Sequence, residues 1–96
     1  MTNIDSYAQM RISFYEARFQ NETNDQLVNN FNSLATSRGW TAERSYFTTA
    51  LIGELQRRGI DLSAIVQTDI HGKVLSIAHR PVRYDREEQA LVVINK

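Results

Sequence analysis

Apolar residues recur at three- and four-residue intervals through the first sixty positions and then begin to alternate with polar ones. That switch of period predicts helices followed by strands. Between Asp5 or Ser6 and Phe19, two apolar stripes share one helix. Tyr7, Met10, Phe14 and Ala17 make one, and Ala8, Ile12, Tyr15 and Phe19 make the other. Arg11 and Arg18 lie between them, and only Gln9, Ser13 and Glu16 form a clearly polar strip. A helix that packs one face on a core does not need that much apolar girth. A strand over "RISFYEARF" is the competing reading.

The second helix has the clearest start. Thr23 is a good N-cap, and Gln26 three residues on completes a capping box. Leu27, Val28, Phe31, Leu34 and Ala35 fall on one face, whereas Asn29, Asn30, Asn32, Ser33 and Thr36 lie elsewhere. The stretch "RGWTAERSYF" (38–47) then reads as a corner between helices. Gly39 suits the positive-φ position where a helix stops, and Trp40 suits an apolar fold-back onto the helix just left. Thr41 offers the next N-cap, with Glu43 favourably placed in the first turn. The third helix runs from about Ala42 to Arg58 and turns Phe47, Ala50, Leu51 and Leu55 inward. Glu54 can pair with Arg58 at i,i+4, Gly59 stops the helix, and Ile60 can fold back as Trp40 does.

In the last third, "IVQTD" and "KVLSIA" flank "IHG", and "VRY" and "QALVVI" flank the charged turn "DREE". A two-residue turn at His71–Gly72 would set Val66 opposite Ile77 and Thr68 opposite Leu75. Pro81 cannot donate to a ladder and marks an edge or bend. The expected architecture is α+β: three helices followed by a three-stranded antiparallel β-meander with one face on the helices, in a single domain.

Composition narrows what such a domain can do. With 96 residues and an apolar fraction of 42%, the chain suits one modest core. Formal net charge is zero, which argues against a strong sequence-independent grip on DNA but leaves room for a local basic patch. The absence of cysteine removes disulfides and thiolate zinc sites and points to a reducing, cytoplasmic setting. No apolar run approaches the ~20 residues of a membrane span, and no leader pattern opens the chain, so no membrane role is expected.

Candidate chemistry is sparse. His71 in a turn and His79 near a strand end have no third ligand at metal spacing, so no metal or other cofactor is expected, and His79 reads as a core-edge histidine. Asp85, Glu87 and Glu88 cluster in a tight charged turn, where solvation keeps carboxylates ordinary. No nucleophile elbow, phosphate loop or dinucleotide fingerprint occurs, so no enzyme is read. Two binding readings compete. Helix, turn, helix and hairpin is the order of a winged helix, and Arg57, Arg58, Arg80, Arg83 and Arg86 would then face phosphates. Ser45, however, stands where such a motif calls for an aliphatic residue. The other reading is protein contact. Tyr7, Arg11, Phe14 and Arg18 on the first helix are the residue mix enriched at protein interfaces.

Residues 38–65, "RGWTAERSYFTTALIGELQRRGIDLSAI", resemble a segment of small uncharacterised bacterial proteins with the pattern RGW-x3-R, an apolar helix, and RGID-x-S. The resemblance implies a small bacterial protein and no particular activity. The favoured expectation is a small non-enzymatic cytoplasmic protein that contacts a protein partner or a second copy of itself. A winged-helix-like nucleic-acid binder is the alternative.

Overall fold

The first helix settles against the third mainly along one of its two apolar stripes, and from the other only the Tyr7 ring reaches across, to Tyr46. The structure, a computed structural model, describes residues 3–37, 39 and 41–94. Three helices, α1 (Asn3–Gln20), α2 (Asn24–Thr36) and α3 (Ala42–Arg57), precede four short strands, β1 (Val66–Thr68), β2 (Val74–Ile77), β3 (Val82–Asp85) and β4 (Ala90–Val93). Helix α1 packs along α3, and α2 packs on both α3 and β3. The core between them holds Phe19 from α1, Leu27, Val28, Phe31 and Leu34 from α2, Ala50, Leu51, Ile52 and Leu55 from α3, and Val82 and Leu91 from the strands. The strand alternative over "RISFYEARF" is not adopted, because that stretch is helical throughout.

Local signals explain the helix ends. The Thr23 side chain accepts from the backbone N–H of Gln26 at 3.1 Å, and the Gln26 side chain accepts from that of Thr23 at 2.8 Å, closing the capping box. Thr41 caps α3 by accepting from the N–H of Arg44. At the other end of α3, Gly59 takes φ +75°. Its N–H donates to Gln56 O at 3.0 Å, and the N–H of Ile60 donates to Leu55 O at 3.2 Å. This is the paired bonding of a Schellman stop, with Ile60 buried in the fold-back that its sequence position suggested.

The corner after α2 differs from the expected one. The helix already ends at Thr36, with Ser37 as an extended C-cap, so Gly39 (φ +85°) lies one residue beyond the C′ position. Carbonyls around this corner are gathered by Arg44, one of them, Leu34 O, also accepting from the N–H of Ser37. Its guanidinium donates to Leu34 O at 2.7 Å, Gly39 O at 3.0 Å and Ser37 O at 3.3 Å. The expected fold-back of Trp40 lies outside the described residues, as does Arg38.

The three-stranded meander is corrected to two antiparallel two-stranded sheets, β1–β2 and β3–β4. Strand β3 cannot continue the first hairpin because its free edge is taken. The N–H of Val82 donates to Asn32 Oδ1 at 2.8 Å, and Val82 O accepts from Asn32 Nδ2 at 2.9 Å. The neighbouring Pro81 has no N–H to offer. On the far side, β4 pairs instead with the chain leaving α3. The N–H of Asp61 donates to Gln89 O at 2.8 Å, and that of Leu91 donates to Asp61 O at 3.0 Å. The register of the first hairpin is half as expected: Val66 faces Ile77, but Thr68 faces Val74 rather than Leu75. Asp69 is the cause. Its Oδ1 accepts from the N–H groups of His71 and Lys73, closing a longer loop over Ile70, His71 and Gly72. Gly72 takes φ +83°, and the extra residue is absorbed by an irregularity between Gln67 and Thr68.

Candidate interaction surface

Burying one stripe of α1 leaves the other in water. Phe19 is fully buried, and Ile12 and Tyr15 pack against the core. The rings of Tyr15, Phe19 and Phe47 meet at centroid distances of 5.1–6.2 Å. These aromatic contacts fix which way α1 is rolled. On the opposite side, Tyr7 is 52%, Met10 59% and Phe14 55% exposed. These side chains sit three and four residues apart and therefore line one face, with the exposed Ala17 next in line. Single exposed apolar residues are unremarkable, but three large ones in a row on one helix are not.

Both arginines of the face are held by acids of the same chain. Arg11 donates through Nε and Nη2 to Glu43 at the start of α3, at 3.1 Å and 2.6 Å. The Tyr15 hydroxyl donates to the same carboxylate. The guanidinium also lies 4.9 Å above the Phe14 ring and 5.3 Å from that of Tyr15. Arg11, ahead of the Tyr15 hydroxyl, holds the Glu43 carboxyl below its ordinary pKa. Glu43 and partial burial hold the Tyr15 hydroxyl above its own, and the carboxylate raises Arg11 further. Arg18 donates to Glu22 at 3.1 Å and lies 5.5 Å from the Phe19 ring, covering the edge of the buried stripe. Of the expected interface residues, Phe14 is half-exposed, and Tyr7 is half-exposed with its ring edge-on to Tyr46 of α3 at 6.2 Å. Arg11 and Arg18 form the rim, already ion-paired.

The arginines of the nucleic-acid reading are dispersed among structural tasks. Arg57 and Arg58 both donate to Glu54, which is only 4% exposed. Arg58 also donates to Asn24 Oδ1, Phe19 O and Glu22 O at 2.8, 2.9 and 2.6 Å, tying the α1–α2 connection to the end of α3. Arg83 lies 3.9 Å from Asp85, and Arg86 lies 3.8 Å from Asp25; Arg80 is exposed beside Pro81. Helix α3 would be the reading helix of a winged-helix protein, and its exposed positions are Ala42, Thr49, Gln56 and Arg57. That face carries one cation for a phosphate-rich target.

His71 is exposed in the hairpin turn, and the half-buried His79 stacks on Phe31 with ring centroids 6.3 Å apart. Among the described residues no group of three His, Cys, Asp or Glu side chains could hold a metal ion. Among the described residues, no helix is long and apolar enough to cross a membrane. Asp85 accepts from the N–H groups of Glu87 and Glu88, so the acidic turn is an Asx-type closure.

Burial, and secondarily the charge of Arg44, lowers the pKa of His79. A histidine harder to protonate when folded contributes stability that is present above the ordinary imidazole value of about 6.5 and is lost as pH falls below it. The urea midpoint is therefore expected to drop between about pH 7.5 and pH 5.5, and His79→Gln should flatten that drop. A profile equally steep in the variant would place its origin elsewhere.

The interface expected from the sequence did not include Met10 or Glu43. Met10 was legible as a member of the exposed stripe. Glu43 was legible only as a helix-start acid, because its partner Arg11 is 32 residues away. No protein-family model, curated protein or solved structure matches the chain.

Proposed function

We propose that this chain is a non-enzymatic interaction module that receives a protein partner on the outer face of α1. The observation that carries the reading is the exposure of Tyr7, Met10 and Phe14 on a helix whose opposite stripe already fills the core. Aromatic and methionine side chains rimmed by arginine form the composition of an interface centre. The rim is rigid: Arg11 is fixed by two bonds to Glu43 and stacked on Phe14, so little ordering remains to be done on binding.

The test compares the chain with its Met10→Ser/Phe14→Ser double variant as immobilised bait. Both side chains are more than half exposed, so the variant is expected to stay folded, with a small loss of melting temperature from the Phe14 contacts with Arg11 and Tyr15. Loss of two anchors should weaken retention of the bound protein by about tenfold or more. Equal retention by parent and variant would overturn the assignment of this face.

A further inference from the structure

We propose that the occupant of the α1 face is a second copy of this chain, packed antiparallel through α1. The inference rests on the docking reading above and adds the partner's identity. Three observations point to it. First, Tyr7, Met10, Phe14 and Ala17 are spaced three, four and three residues apart, the interval of the seam between two coiled helices. A helix bearing the same seam is its natural complement.

Second, the sizes along the seam match themselves in reverse. An antiparallel copy sets Tyr7 against the small Ala17 of the second copy, and Met10 against Phe14 of the second copy. The outer pair sets large against small and the inner pair sets a flexible Met against an aromatic ring, whereas a parallel pairing stacks Phe14 on Phe14. Antiparallel helices also bring opposite dipole ends together.

Third, the rim asks for no foreign charge. Arg11 is neutralised by Glu43 and Arg18 by Glu22 within the same chain. An acidic partner would find both guanidinium groups already paired. The other border of the stripe carries the exposed Ser6 and Ser13, short side chains that let a second helix approach. The chain has zero formal net charge, so two copies do not repel at a distance.

Area sets the strength. Three half-exposed side chains of this size offer roughly 300 Å², against about 800 Å² per partner in a standard stable interface. The dimer is therefore weak and concentration-dependent.

Sedimentation equilibrium of the full chain from about 10 μM to about 1 mM tests it, the range in which so small an interface should associate. The weight-average mass is expected to climb from 11.1 kDa toward twice that value. Met10→Lys should hold it at the monomer without lowering the melting temperature, and Phe14→Glu should do so while remaining folded, at a melting temperature lowered by the loss of its contacts with Arg11 and Tyr15. Orientation is read by disulfide trapping, since the chain has no cysteine of its own. Mixed Tyr7→Cys and Ala17→Cys chains should form the mixed disulfide in preference to either symmetric one, because only the antiparallel seam brings those two positions within bonding distance. Dominant Ala17→Cys symmetric disulfides would overturn the antiparallel pairing. A parent that stays monomeric throughout would overturn the second copy alone, leaving the docking reading to the bait comparison. A dimer untouched by both substitutions would overturn the two together.

Discussion

Replacing Arg58 by alanine is expected to destabilise the fold by about 3–4 kcal/mol, the cost of breaking a buried, hydrogen-bonded ion pair from one side. Arg58 donates to Glu54, Asn24, Phe19 O and Glu22 O, and thereby joins the last turn of α1, the start of α2 and the end of α3. Its removal leaves the buried Glu54 carboxylate with Arg57 alone and takes a donor from Glu22 O and from Phe19 O, the latter keeping the N–H of Glu22. Arg57→Ala is the control. That side chain is half-exposed, and its loss should cost no more than about 1 kcal/mol. Arg58→Lys should recover little, because a single ammonium cannot reproduce the planar fork that reaches several acceptors. Urea unfolding of the three variants checks the ranking, and equal stability of Arg57→Ala and Arg58→Ala would contradict it. The same variants bear on nucleic-acid assays: a loss of binding in Arg58→Ala would first have to be separated from loss of fold.

Asn32→Leu is expected to cost about 2–4 kcal/mol, because it leaves both the N–H and the C=O of Val82 without the amide that satisfies them. Val82 is 1% exposed, so water cannot substitute for it. Asn32→Asp separates the two bonds. It keeps the acceptor for the Val82 N–H and sets a carboxylate against the Val82 carbonyl. Its deficit should therefore shrink as pH falls and the carboxyl protonates. Amide exchange at Val82 should accelerate strongly in Asn32→Leu and less in Asn32→Asp, which keeps the acceptor for that N–H. Unchanged stability of Asn32→Leu would show that the bridge between α2 and β3 contributes nothing net.

What could be read directly from the chain was local. The capping box at Thr23 and Gln26, the N-cap at Thr41 and the stop at Gly59–Ile60 each bring residues no more than six apart into one motif. Long-range partners were not legible. Asn32 stands on what reads as the polar side of α2, yet it grips a strand 50 residues away and so divides the expected meander into two hairpins. Arg44 reads as one more surface cation, but it takes the place of a glycine stop at the end of α2. The hairpin register slipped because Asp69 closes a turn one residue longer than the glycine alone suggests. The surface itself was half legible. Two stripes of similar apolarity on α1 announced a helix with a face to spare. Which stripe turned inward depended on Phe47 of α3, a contact that no periodicity in α1 contains.

The outer face of α1 is tested most directly by placing a photo-crosslinking side chain at Met10 and irradiating living cells, with the same group at Glu88 in the exposed β3–β4 turn as a control. The account predicts a discrete adduct from position 10 and none from position 88, with a mass equal to two copies of the chain if the face pairs with itself. No adduct at position 10, or the same products from both positions, would contradict the claim that this face is a docking surface.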